Sequence, residues 1–312
     1  MERFARRRQS YAGSAQRARR LVPERLRGMQ ALIAFAFCAV PIFIGFIAPA
    51  LYLTLEAIKR LKFAGLSSDL MQQMFNTVLI AGIATIVSLA LGLILALSVR
   101  MMRNGLSAAI LRIASLGYAL PGTVLAIGLL GPIALMDDGI SFVSEFVSGR
   151  TTGLVMTASG AALIYAYVAR FLTISSGNAE NGLSRLSVSL DYAARTLGET
   201  AGGVARRIHV PLISPALASA ALLVFVDCMK ELPATLLLRP LNFETLATHL
   251  YGEAARGTYE DGSLAALAIV IFGLLPMILL ARTARAPDLA SGPQNAADGA
   301  LTQVPSENNA HA

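Results

Sequence analysis

Long apolar blocks constrain this chain more than any other feature of its sequence. Six of them lie between polar ends, at residues 31–55, 77–99, 113–135, 154–174, 212–238 and 263–281. A helix needs about 20 mostly apolar residues to cross roughly 30 Å of hydrocarbon. Each block is near that length, and only helices or closed barrels satisfy their backbone groups in lipid. The pattern therefore predicts an all-α polytopic membrane protein with six spans.

The composition and charge fit a chain dissolved in a bilayer. Hydrophobic residues make up 55% of the sequence and charged residues 14%, which is more apolar surface than one soluble core could hide. The net charge is +7, but the basic residues flank the apolar blocks and are not interleaved with aromatics on a polar face. Anionic lipid headgroups explain such residues better than nucleic acid does. We expect a lipid bilayer and no nucleic acid as partner.

The distribution of Lys and Arg predicts the orientation. Most of them fall in segments that share one side if the N-terminus is cytoplasmic, whereas Lys59, Arg60 and Lys62 fall on the other side. The positive-inside rule then places both termini in the cytoplasm. One transmembrane domain, residues 29–285, is expected between an arginine-rich cytoplasmic segment, 1–28, and a disordered cytoplasmic tail, 286–312.

No motif indicates an enzyme, a metal site or a cofactor. The sequence contains no G-x-x-x-x-G-K-[ST] loop to hold phosphates, so any ATP hydrolysis must take place on another subunit. Cys38 and Cys228 lie inside apolar blocks without metal-ligand spacing, as small buried hydrophobic residues do.

The most informative polar stretch is 188–211, VSLDYAARTLGETAGGVARRIHVP, within a predicted cytoplasmic loop at 176–210. Its apolar residues recur at three- and four-residue steps, which predicts an amphipathic helix. We expect Ser189 to cap this helix and Asp191 to lie favourably at its positive end. Gly198 and then Gly202-Gly203 should interrupt it, giving two short helices around a glycine turn. The apolar face is rich in Ala, which favours a groove on a partner protein over a position on the headgroups.

This stretch resembles the coupling motif of ATP-binding-cassette (ABC) importer permeases, written E-A-A, three residues, G, nine residues, I-x-L-P. The residues that match at that spacing are Ala193, Ala194, Gly198, Ile208 and Pro211. Tyr192 stands in place of the Glu and Val210 in place of the Leu. The resemblance implies that these residues and Asp191 couple the chain to cytoplasmic ABC ATPase subunits.

Three further stretches look like the ferric-iron branch of these permeases, at residues 116–132, 167–172 and 224–240. The similar region runs from about residue 28 to 285 and looks like the second membrane half of a fused permease. The resemblance implies a type I importer bundle in the bacterial inner membrane. It also implies a periplasmic substrate-binding protein, ferric iron as substrate and a second permease half, either a related subunit or a copy. Segment 1–28 looks like the linker that joins the halves in fused relatives. Thiamine, phosphonate or polyamine import stays open, as does a passive channel or scaffold.

Two charges in the fifth apolar block mark a candidate translocation pathway or gate. Lys230 and Glu231 are adjacent and Pro233 follows them. Adjacent residues cannot face each other along a helix, so each is expected to find a partner elsewhere in the bundle. The alternative is that the span ends near Met229 and both charges are solvated.

Other polar residues carry weaker signals. Arg170 with Tyr165 and Tyr167 could form another polar cluster, but a tyrosine and an arginine near the end of a span are more often interfacial anchors. His209 and His249 are lone histidines, for which a solvated or structural role is expected.

Overall fold

The computed structural model describes residues 26–102 and 104–284, and within these ranges all regular structure is helical. The predicted segment 1–28, apart from its last three residues, and the predicted tail 286–312 lie outside them. The helices, in chain order, are α1 (Met29–Ile42), α2 (Ala48–Ala64), α3 (Ser68–Met102), α4 (Gly105–Ala114), α5 (Gly122–Ser148), α6 (Val155–Ala158), α7 (Ala161–Ser184), α8 (Val188–Thr196), α9 (Ala201–Val204), α10 (Val210–Met229), α11 (Pro233–Leu238), α12 (Leu246–Arg256) and α13 (Tyr259–Ala284).

The chain divides into two compact units, and the first ends at Leu51. Its described part holds α1, a wide π-helical turn at Phe43–Ile47 and the start of α2. Pro41 lies inside α1, just before this turn. A proline removes one backbone hydrogen bond, and an inserted wide turn is one way in which a helix continues past such a site.

The second unit, from Tyr52 onward, is built around three helices, α3, α7 and α10, each of which packs against the other two. Small residues let α3 and α7 approach closely, as is usual between membrane helices. A Cβ added to Gly92 of α3 would lie 2.7 Å from the Cβ of Ser175 and 2.7 Å from the backbone nitrogen of Ser176. Ser88, Ser175 and Ser176 are fully buried at this crossing.

The predicted third span, 113–135, is not one helix. Helix α4 ends at Ala114, a short 3₁₀ turn covers Gly117–Ala119, and Leu120 and Pro121 are extended before α5 begins at Gly122. A proline disfavours the helical conformation at the residue before it and has no N–H to donate. The break therefore falls at Leu120 and Pro121, and α5 continues to Ser148, well past the predicted end.

The fourth and fifth predicted spans also differ from the observed helices. Helix α7 begins at Ala161 and runs to Ser184, so residues 176–184 are helical and not part of a loop. Helix α10 ends at Met229, and the chain is irregular until Pro233 opens α11. Proline is favoured at the first position of a helix, where its missing N–H costs nothing, so Pro233 starts a new helix here.

Four helices in the described ranges are long and apolar enough to cross a membrane. They are Met29–Phe63, Ser68–Met102, Gly122–Ser148 and Ala201–Met229. The all-α membrane fold is confirmed, and the count of six spans stays a prediction.

Candidate functional site

Helix α8 carries the first half of the predicted coupling motif, and its N-cap lies earlier than the sequence suggests. The Ser187 hydroxyl accepts a hydrogen bond from the backbone N–H of Ser189 at 3.2 Å, so Ser187, and not Ser189, is the N-cap. Asp191 lies in the first turn, as expected. The helix ends at Thr196, and Gly198 follows with a φ of +87°, a conformation that other residues rarely adopt.

The second glycine interruption does not occur. Thr200 caps a new helix by accepting a hydrogen bond from the N–H of Gly203 at 3.2 Å, so Gly202 and Gly203 lie inside α9. Helix α9 continues through a π-helical turn, Ala205–His209, into α10. The expected second short helix is therefore the beginning of a 29-residue helix, Ala201–Met229.

The motif residues divide into exposed and packed ones. Ala193 and Gly198 are exposed, whereas Ala194 is buried against the rest of the unit. Ile208 is half-buried in the π-helical turn, and Pro211 is exposed in the first turn of α10. Two large residues at this surface, Tyr192 and Leu197, are also exposed; Leu197 retains 85% of its accessible surface. We name the exposed residues Leu190, Tyr192, Ala193, Leu197 and Gly198 the coupling surface.

Asp191 points away from this surface into a hydrogen-bond network. Its carboxylate accepts from Arg100 Nε at 3.1 Å and Arg100 Nη2 at 3.2 Å, and it contacts His209 Nε2 at 2.7 Å. Burial raises the pKa of Asp191, but the hydrogen bonds and charges of Arg100 and His209 together outweigh it and hold the pKa below its ordinary value.

Arg100 also satisfies the end of α7. Its guanidinium donates to the carbonyl oxygen of Leu183 at 2.5 Å and to those of Leu186 and Ser187 at 3.3 and 3.4 Å. Carbonyl groups at a helix C-terminus attract cations. Arg100 therefore binds the end of α7 through these carbonyl groups and the first turn of α8 through Asp191. Neither Arg100 nor His209 was singled out as functional from the sequence. His209 is almost fully buried, so the solvated position that was one of the two expectations for it is wrong.

A second polar site lies where α7 meets the chain after α10. Arg170 Nη1 is 3.4 Å from Glu231 Oε1, and both side chains are largely buried. The same carboxylate oxygen accepts a hydrogen bond from the N–H of Ala234 at 3.3 Å, in the first turn of α11. A carboxylate is stabilised at the positive end of a helix. Glu231 thus has the partner elsewhere in the bundle that its charge requires.

Close backbone packing surrounds this ion pair. A Cβ on Gly122 would collide with Arg170 Nη1 and lie 2.6 Å from Glu231 Oε1, so a side chain here would push the ends of these two side chains aside. The Tyr167 hydroxyl meets the Thr235 hydroxyl at 2.5 Å, and Thr235 donates to the carbonyl oxygen of Glu231. Arg170 and Tyr167 are therefore internal residues, and the interfacial-anchor interpretation is wrong for both.

The other residues of the predicted gate have different positions. Lys230 is exposed and pairs with Asp227, three residues earlier, at 2.8 Å, so its partner is on its own helix. Pro233 opens α11, and the N–H of the next residue, Ala234, donates to Glu231. The sequence indicates that Arg170 and Glu231 each need a partner, because an unpaired charge in an apolar block is costly, but it does not indicate that the two residues meet.

His249 also has a structural environment. Its Nδ1 is 3.3 Å from Gln73 Nε2 and lies 4.0 and 3.9 Å from carboxylate oxygens of Glu244 and Glu253. Within residues 26–102 and 104–284, no group of three His, Cys, Asp or Glu side chains is arranged to hold a metal ion.

Solved structures with this arrangement of helices are membrane subunits of ABC importers. The chain superposes on a chain of a bacterial alginate ABC transporter, solved with an alginate-bound periplasmic protein, with a TM-score of 0.61 at 15% identity, covering 82% of this chain and 94% of that one. It superposes on a chain of the MetNI methionine ABC transporter with a TM-score of 0.53 at 16% identity, covering 71% and 99%. The fold is that of an ABC importer permease.

Sequence comparison shows which ABC transport permeases the chain is similar to. The chain is similar to the Fe(3+)-transport system permease protein FbpB 2 of Haemophilus influenzae, with 27% identity over 72% of this chain and 41% of the relative. It is also similar to a putative 2-aminoethylphosphonate transport system permease protein, PhnV, of Salmonella typhimurium, with 32% identity over 38% of this chain and 45% of the relative.

These matches confirm the predicted resemblance to ABC importer permeases of the ferric branch. They span less than half the length of the relatives named here. No family model matches the chain.

Proposed function

We propose that this chain is the transmembrane permease subunit of an ATP-driven importer, and that it moves ferric iron from a periplasmic binding protein into the cytoplasm. Both termini then lie in the cytoplasm of a bacterial cell, and the ATPase is a separate subunit. The likeness to ferric permeases and to importer membrane subunits supports this function. The observation that carries it is the coupling surface at the end of α8.

The coupling surface has the properties of a docking site for a protein. Leu197 and Tyr192 are exposed and lie in a segment outside the long apolar helices. Burying a large apolar side chain yields about 1.5–3 kcal/mol, so a partner that covers both gains substantially. Tyr192 replaces the motif Glu, so we expect an aromatic contact where relatives with that Glu have a carboxylate.

The partner that fits this surface is the cytoplasmic ATPase subunit. Gly198 follows α8 directly, and a side chain there would meet nothing within 4 Å. A partner can therefore approach the backbone closely at this point. One chain offers one coupling surface, and two ATPase subunits need two, so the importer also contains a second permease half.

Paired cysteine variants test this arrangement. Leu197 and Leu241 are exposed leucines that lie beyond opposite ends of α10, retaining 85% and 95% of their accessible surface. In membrane vesicles, Leu197→Cys should cross-link to the ATPase subunit and react with membrane-impermeant maleimide only from the cytoplasmic side. Leu241→Cys should not cross-link to the ATPase subunit, and it should react with the maleimide only from the periplasmic side. Labelling of both cysteines from one side would contradict the topology.

The substrate is tested by uptake. The complex reconstituted with its ATPase and binding protein should accumulate radioactive ferric iron when ATP is supplied inside the vesicles. Phosphonate import is the second candidate, because PhnV proteins are similar to this chain. Uptake of 2-aminoethylphosphonate without iron uptake would favour it, and uptake that does not require ATP would indicate a channel.

The Arg170–Glu231 pair is proposed to border the pathway and act at its gate. A buried pair next to two helix starts can form and break as the bundle changes conformation.

A further inference from the structure

One side chain on α8 joins the ends of the long helices. Asp191 accepts two hydrogen bonds from Arg100, at the end of α3, and meets His209, at the junction of the π-helical turn and α10. Arg100 in turn holds the carbonyl groups that end α7. Four elements of the same unit are thus connected through three side chains.

The side chains that make these contacts are mostly covered by protein. His209 retains only 1% of its accessible surface, and the Arg100 and Asp191 side chains are also mostly covered. The two parallel bonds from Arg100 form a fork on the carboxylate, the most directional arrangement for this pair of groups. Removing one partner would leave a covered charge unpaired. We therefore expect α8 to move together with the ends of α3 and α10.

The covalent connection from α8 to α10 is different. It passes through Leu197 and Gly198, which are exposed. The N–H groups of Gly198 and Glu199 donate to the carbonyl oxygens of Arg195 and Ala194, at 3.0 and 3.1 Å, so this turn closes back on the end of α8. Asp191 and His209 therefore give α8 a direct side-chain contact with the start of α10 in addition to this turn.

We propose that Arg100, Asp191 and His209 form a mechanical link that transmits movement of the coupling surface to α3 and α10. The link rests on the proposed function, since it requires an ATPase subunit to move α8. Its three members are positioning residues, and none of them belongs to the coupling surface. The π-helical turn supports the link, because it ends at His209 and such turns recur at functional sites in helices.

The test compares transport with ATP consumption. Arg100→Lys keeps the charge but loses the fork, and Asp191→Asn keeps the shape but loses the charge. In the reconstituted complex, both variants should retain the ATPase subunit and hydrolyse ATP, while radioactive ferric iron imported per ATP falls by at least about fivefold, the lower end of typical coupling effects.

A matched control and a conservative variant separate the link from general effects. Arg207 lies on the same segment as His209 but is 74% exposed and pairs with Glu199, so Arg207→Lys should leave the iron-to-ATP ratio unchanged. His209→Gln can still donate to Asp191 and should keep most of the ratio, whereas His209→Ala should lose it. If Asp191→Asn does not accumulate in the membrane, the two His209 variants and Arg100→Lys carry the test.

Each outcome has a distinct meaning. Link variants with the same ratio as Arg207→Lys would overturn the proposal. Loss of the ATPase subunit from those variants would also overturn it, because the three residues would then only hold the docking surface in shape. A wild-type complex without ATP-dependent iron uptake would refute the proposed ferric importer, independently of any variant.

Discussion

The crossing of α3 and α7 gives the sharpest prediction of stability. Gly92→Ala would place a Cβ 2.7 Å from Ser175 and Ser176, and the atoms it meets include backbone, which cannot rotate away. Gly82, ten residues earlier on the same helix, has open space where its Cβ would be, with nothing within 4 Å. Both substitutions gain up to about 1 kcal/mol of helix propensity, but only Gly92→Ala also incurs overpacking of about 1–3 kcal/mol.

The propensity gain cancels when the two variants are compared. Gly82→Ala should be neutral or slightly stabilising, and Gly92→Ala should be less stable than Gly82→Ala by about 1–3 kcal/mol. The chain contains no Trp, so unfolding in detergent micelles is best followed by circular dichroism during titration with SDS. A difference below about 0.5 kcal/mol, the usual error of such comparisons, would refute the packing argument.

Four other changes test the coupling surface and the two polar sites. Gly198→Leu should uncouple ATP hydrolysis from uptake without reducing protein abundance, since the side chain meets open space but strains a φ of +87°; normal coupling would sink this prediction. Glu231→Gln should impair uptake while the ATPase subunit stays bound, and wild-type uptake would exclude a gate role. Gly122→Ala should impair uptake in the same way as Glu231→Gln, because it displaces Arg170. The loss of uptake should then be equal in each single variant and in the double variant. Acid should loosen α8, because the pKa of Asp191 is depressed in the folded state although burial opposes this. The contribution of Asp191 to stability is therefore complete above about pH 3.9, the ordinary pKa of an aspartate, and is lost as the pH falls through the lower folded-state pKa. Hydrogen exchange of the α8 amides would report this loss.

Features that depend on short stretches of sequence were predictable. The apolar blocks identify a helical membrane protein because the bilayer fixes how long such a block must be. Gly198 was expected to end α8, and it does so because a positive φ suits glycine. The neighbouring Gly202 and Gly203 gave the same signal but lie in a helix, since the Thr200 cap and the long helix that follows override their weak local preference.

Features that depend on distant pairs were not predictable. Arg100 and Asp191 are separated by 91 positions, and nothing in either neighbourhood specifies the other. Arg170 resembled an interfacial anchor because an arginine near tyrosines at the end of an apolar block is the usual local pattern of an anchor. Its pairing with Glu231 depends on how α7 packs against the break between α10 and α11. The predicted ends of the spans differ from the observed helix ends for a related reason. Pro121 and Pro233 interrupt the helices inside apolar runs that are continuous by hydropathy.

Gly122 has a consequence for how such chains can diverge. A Cβ there would meet the ends of the Arg170 and Glu231 side chains, so three positions far apart in sequence are coupled through direct contact. A larger residue at position 122 forces the two charged side chains to move, and it is accommodated more easily once the charges are lost. Across homologous chains, we therefore expect these three positions to change together more often than unrelated positions do.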